Sequence, residues 1–179
     1  MALEQKAFVF DYDLFAQMLS DILRKALATN DLAQLERFID GNLNSLRDPN
    51  EGTPLKSNWR ESLETTDAHQ LGDLAVTMFY DPTSDIGLGY QWEGIQDVLE
   101  QELGSRVDIL LGQQFGPTGN VFDPGKMGSY FQPVTIVQHN LASLEALASR
   151  QPGISSRLAP AMHLFRTALS NAKGLYMTF

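Results

Sequence analysis

Gly112-Gln-Gln-Phe-Gly-Pro-Thr-Gly-Asn-Val-Phe-Asp-Pro-Gly-Lys-Met-Gly-Ser-Tyr-Phe-Gln132 is the one stretch whose composition departs from ordinary helix-and-turn chemistry. Its glycines and prolines break any helical or strand period, so it reads as a loop. A structureless loop of about 20 residues inside a compact domain is unusual, and such loops are often functional. Phe115, Phe122, Met127 and Phe131 alternate with the polar Asp123, Lys126, Ser129, Tyr130 and Gln132. The aromatics predict that the loop is pinned to the body of the protein. It is then either an ordered cover over the core or the rim of a binding surface.

The flanks set the architecture. Upstream, a helix over Tyr90–Leu103 places Trp92, Ile95, Val98, Leu99 and Leu103 inward and stops at Gly104. The apolar run Val107–Leu111 is too short to type and fits a strand or a helical turn. Downstream, Pro133 suits the first position of a helix, where its missing N–H is not needed. Val134, Val137, Leu141, Leu144 and Ala148 follow at steps of three and four. Gln151-Pro-Gly153 ends that helix, and a last one from Ser155 or Ser156 carries Leu158, Met162, Phe165 and Leu169. Gly174 is expected just past its end, with Leu175–Phe179 as a terminal strand.

Toward the N-terminus, Lys6–Phe10 reads as a short strand or arm that could pair with the terminal strand. Leu14, Phe15, Met18, Leu19, Ile22, Leu23, Ala26 and Leu27 form one helical stripe, with Asp11 or Asp13 as cap and Arg24 and Lys25 in its last turns. A second stripe is Leu32, Leu35, Phe38, Ile39 and Leu43. The short break at Thr29-Asn30 predicts a helical hairpin over about residues 12–46. Arg47–Ser57 is a loop, Ser57 the cap of a short helix, and another helix runs from Thr66 or Asp67 to Phe79. There Gly72 costs about 1 kcal/mol relative to alanine. The reading is one α+β domain, dominated by helices, with a small sheet that includes the C-terminal strand.

At 179 residues, with 43% hydrophobic and 20% charged residues, the chain is long enough to bury a core and is not of disordered composition. It has no cysteine, which excludes disulfides, thiolate metal sites and a cysteine nucleophile. No basic leader precedes the early apolar run, and no run approaches the roughly 20 residues of a membrane span. A cytoplasmic protein is expected. The net charge is -9. Residues 1–89 hold 15 Asp and Glu against 7 Lys and Arg; residues 90–179 hold 7 against 6. Such a field disfavours nucleic acid. It forms either a solvated face or a docking face for a basic protein.

Known chemical motifs fail on their spacing. Gly87-Leu-Gly89 precedes a helix, but Trp92 stands where a dinucleotide fingerprint needs its third glycine. Gly125-Lys126 is followed by Met127 rather than the hydroxyl a phosphate loop requires. Asp81, Ser84 and Asp85 read as turn formers and match no calcium loop. His69, His139 and His163 fall on three separate helices, and Ser129 has no local base. No catalytic residue, cofactor or metal site is assigned. Asp123, Lys126, Ser129, Tyr130 and Gln132, together with Trp92, are the candidate ligand- or partner-binding residues.

The C-terminal half also carries a resemblance. A helix with Trp92 and Leu99 leads to Ile109-Leu-Leu-Gly112. A glycine-rich loop follows, ending Met127-Gly-Ser-Tyr-Phe-Gln-Pro133. Then come a helix with Val137, Leu141, Leu144 and Leu147, a last helix and a terminal strand. Over about residues 86–179 this order is similar to the YfbM-like family of small bacterial domains of unknown function. Gln113 stands where that family has a second glycine, and the Asp-Pro-Gly-Lys segment has no counterpart. The resemblance implies an α+β fold in a soluble bacterial protein and supplies no catalytic residues. Two functions are therefore expected as alternatives. One is a non-enzymatic binding or regulatory domain, immunity-type or adaptor, with an acidic docking face. The other is a small hydrolase or ligand-binding protein with its site at the 112–132 loop.

Overall fold

The computed structural model describes residues 2–104 and 108–179. Three strands make one antiparallel sheet: β1 (Lys6–Phe10), β2 (Ser129–Gln132) and β3 (Gly174–Thr178), in the order β1-β3-β2. The C-terminal strand is thus central, and Tyr176 is opposite both Phe8 and Phe131. Side chains alternate across a strand. Phe8, Phe10, Phe131 and Tyr176 enter one hydrophobic core, while Ala7, Leu175 and Met177 enter the other. Both faces are covered, so the sheet is the middle of three layers.

The first face packs under α1 (Tyr12–Met18), α2 (Ser20–Thr29), α3 (Ala33–Gly41) and α4 (Ala68–Val76). The second packs against α5 (Trp92–Leu103), α6 (Val134–Arg150) and α7 (Ser155–Ser170). This is the helix-dominated α+β class expected, with the C-terminal strand in the sheet. Among the described residues, no helix is long and apolar enough to cross a membrane.

Several expectations change in detail. The first stripe is two helices, because the backbone breaks at Leu19 (φ -125°). Leu19 itself stays fully buried, whereas Leu14 and Met18 lie at the surface. Asp11 is the cap, accepting from the N–H of Leu14 at 3.1 Å. Neither Arg24 nor Lys25 falls in the last turn of α2. Asn30 takes the left-handed conformation (φ 56°) that turns the chain into α3. Ser57 caps nothing: a 3-10 turn runs over Trp59–Ser62. A side-chain anchor positions that turn, since the Trp59 indole and both outer nitrogens of Arg60 donate to Asp40 at 2.9–3.0 Å.

Asp67 caps α4 through the N–H of Gln70 at 2.9 Å, and the helix tightens into a 3-10 turn over Thr77–Phe79. Leu103 is exposed rather than inward. The buried positions of α6 are Val137, Asn140, Leu144 and Leu147, so the inward stripe lies beside the expected one. Val134, Leu141 and Ala148 are only partly buried. Gly174 begins β3 instead of ending α7, and it is there for a backbone reason. A Cβ on it would stand 2.1 Å from the carbonyl oxygen of Gln132.

Val107 lies outside the described residues, and Asp108–Leu111 forms a turn without helix or strand. Its buried carbonyls still need donors, and side-chain amides supply them. Gln132 and Asn140 donate to Ile109 at 2.8 and 3.3 Å, and Gln5 donates to Leu110 at 3.5 Å.

Candidate functional site

The long loop is ordered by its aromatics. Phe115 and Phe122 are buried in the first core, and the N–H of Phe122 donates to the Phe115 carbonyl at 2.6 Å. At its start, Gln113 exchanges both backbone hydrogen bonds with Phe131, at 2.8 and 3.0 Å. The last four residues assigned to the loop are strand β2. Four residues give too short a pattern to read alone, and their pairing partner lies more than 40 positions downstream.

Between these anchors the loop runs along the N-terminal end of α4. His69 is the junction. Its Nδ1 accepts from the backbone N–H of Asp123 at 3.1 Å, so the proton sits on Nε2, which donates to Oδ1 of Asn120 at 3.0 Å. The Asn120 amide then donates to the Leu27 carbonyl near the end of α2, at 2.6 Å. Gln70 adds a bond to the Pro124 carbonyl at 3.4 Å. One histidine and one asparagine therefore tie the loop to two helices.

What they leave is a groove of about 880 Å³ between the loop and the α4 N-terminus. Glu64, Asp67, Asp123 and Lys126 supply its charge, three acids against one base. Gln70, Gln114 and Asn120 add amides. Burial by itself would raise the Asp67 carboxyl, but the bonds from the Gln70 N–H and the Thr65 hydroxyl hold it below the usual carboxylate range. Asp123 accepts from the N–H of Gly128 at 3.0 Å, which closes the tip of the loop. Lys126 adopts a left-handed backbone (φ 58°) at that tip.

Two of the six candidate residues, Asp123 and Lys126, line this groove. The others do not join them. Ser129 is buried in β2, its hydroxyl 3.4 Å from that of Tyr176. Gln132 is buried beneath the sheet, bonded to Ile109 and Asn140. Tyr130 packs with the second core and meets Phe179 edge-on at 6.3 Å. Trp92 donates to the Leu3 carbonyl at 2.8 Å and tilts against Phe179 at 4.9 Å, so it joins the two ends of the chain. Ser129, Gln132 and Trp92 are structural residues: each spends its polar group on the fold.

Glu64, Asp67, His69, Gln70 and Asn120 line the groove but are not among the six binding candidates read from the sequence. His69 was visible as a histidine near a capped helix start, but nothing local connects it to a loop some 50 positions away. His139 and His163 are both exposed. Among the described residues, no three acidic or histidine side chains gather as metal ligands. No family model, curated protein or solved structure matches the chain.

Proposed function

We propose that this protein is a non-enzymatic binding domain and that the groove between α4 and the long loop takes a cationic segment of a protein partner. The observation that carries the reading is the charge of the groove: Glu64, Asp67 and Asp123 against Lys126. Glu64 and Asp67 belong to the acidic residues 1–89, while Asp123 and Lys126 come from the nearly balanced second half, so the net field of the whole chain, at -9, agrees in sign with that of the groove. His69 spends both ring nitrogens on holding the rim. It is thereby unavailable as a general base, which weighs against hydrolysis.

A second reading, a small polar ligand in the same groove, draws support from its concavity and from its amide side chains. The resemblance to YfbM-like domains and a cytoplasmic setting belong to the same proposal, and neither assigns a residue a role.

The test is capture from native lysate by wild-type protein and by Glu64→Lys, at low and high salt. The reading expects one dominant basic partner that is lost at high salt and weakened at least tenfold by the charge reversal. A partner held equally by both proteins removes the groove from consideration. If no partner is captured and neutral polar compounds raise the melting temperature, the second reading stands instead.

A further inference from the structure

A second cavity, of about 270 Å³, lies beside the groove. Pro124 lines both, and Gln70 and Asp73, one turn apart on α4, line one each. Phe8, Tyr80 and Tyr176 form one aromatic cluster in the second cavity. The Tyr80 ring is 4.8 Å from Phe8 and 5.3 Å from Tyr176. Phe179 and Lys6 complete the lining that matters here.

Asp73 is the unusual member. Among the described residues its carboxylate has neither a hydrogen bond nor an ion pair, although the residue is partly buried. The Tyr80 hydroxyl is likewise without a hydrogen bond. Asp85, the other acid in the cavity wall, accepts from the N–H groups of Ala7 and Gly87 and is committed to its loop. Lys6 reaches solvent and pairs with neither acid. A partly buried carboxylate with no protein partner costs stability.

We propose that this cavity binds a compact organic cation, a primary or methylated ammonium head, with Asp73 as counter-ion and Phe8, Tyr80 and Tyr176 as aromatic walls. Aromatic rings attract such cations, and quaternary ammonium groups are held this way in other proteins. The cavity is slightly smaller than the 300–1,000 Å³ of sites for whole drug-sized ligands, so it suits a head group. Asp73 and Asp85, with Asp48 nearby, give it an anionic field that Lys6 alone opposes. A bare metal ion fits poorly, because among the described residues no three acidic or histidine side chains gather as ligands.

The site carries a pH signature. Burial, with repulsion from Asp48, pushes the Asp73 carboxyl up to about 7. Burial also raises the Tyr80 and Tyr176 phenols, so both stay neutral through that range. Binding requires the ionised Asp73, so affinity falls about tenfold for each pH unit below 7. The proposal does not rest on the groove reading, and Glu64→Lys leaves it unchanged.

The experiment is titration of the full chain with choline, tetramethylammonium and methylammonium chlorides, followed by NMR. Sodium chloride and 3,3-dimethylbutanol, the uncharged shape-mate of choline, are the controls. Saturable shifts confined to residues around Asp73, Tyr80 and Tyr176 are expected, at least tenfold tighter at pH 8 than at pH 5.5. Asp73→Asn should cost tenfold or more. Tyr80→Leu should weaken choline and spare the alcohol. Equal binding of the alcohol, equal binding by Asp73→Asn, or no saturable binding of any ammonium probe overturns the proposal.

Discussion

The backbone N–H of Asp123 donates to Nδ1 of His69 across 3.1 Å, one of the bonds that hold the long loop against α4. The ring's other nitrogen holds Asn120, whose amide in turn satisfies a carbonyl of α2. His69→Ala removes the first two bonds and leaves partly buried polar groups unpaired, at a cost of about 1–3 kcal/mol. Urea denaturation should show the loss. Amide exchange should quicken at Asn120 and Asp123 more than in α6. Unchanged exchange there would mean that Phe115 and Phe122 hold the loop without help.

Gly72 lies where α4 meets the loop. A Cβ there would stand 2.7 Å from Cδ1 of Leu23 and 2.8 Å from Cε2 of Phe122. Helix propensity alone favours alanine by about 1 kcal/mol, but overpacking costs about 1–3 kcal/mol. Gly72→Ala is therefore expected to destabilise. Gly94→Ala on α5, where a Cβ meets nothing within 4 Å, should instead stabilise by up to about 1 kcal/mol. The pair of melting temperatures should move in opposite directions.

Gly174→Ala should be far more damaging than either. Its Cβ would meet a backbone carbonyl, that of Gln132, at 2.1 Å, and a backbone oxygen cannot swing aside as a side chain can. β2 would have to part from β3, which is the central strand. Loss of cooperative unfolding, read by circular dichroism on heating, is the expected outcome. A normal melting curve would show that the two strands tolerate separation.

Asp73 sets a pH dependence of stability. Unfolded, its carboxyl ionises near 3.8; folded, near 7. Between those values the folded state binds the extra proton, so stability falls as pH rises through that window and the penalty is complete above it. Its upper bound is about 4 kcal/mol. Asp73→Asn never ionises. It should be more stable than wild type at pH 8 and nearly equal to it at pH 4, by urea denaturation at the two pH values. Equal stability at both would mean that Asp73 is solvated in the folded state.

Much of this architecture was legible in the sequence, and the reason is its short range. The spacing of Leu23, Ala26 and Leu27, or of Leu158, Met162 and Phe165, records one buried face of a helix. The glycines and prolines between Gly112 and Gly128 forbid regular structure whatever surrounds them. Phe115 and Phe122 could be read as pins because large aromatics in a loop need burial. The short apolar runs at each end of the chain pointed to a paired terminal strand.

The tertiary structure alone decided which polar residues are free to act. Ser129 and Gln132 are strand residues because β3 pairs with them, and Trp92 is spent on Leu3 and Phe179. His69 meets Asn120 and Asp123 across more than 50 positions of chain. Asp73, to the eye an ordinary helix acid, lies in an aromatic cavity without a partner. Periodicity and turn chemistry act over a few residues and leave a local trace. Burial, pairing and charge environment depend on residues brought together from distant positions, and that information exists only once the chain has folded.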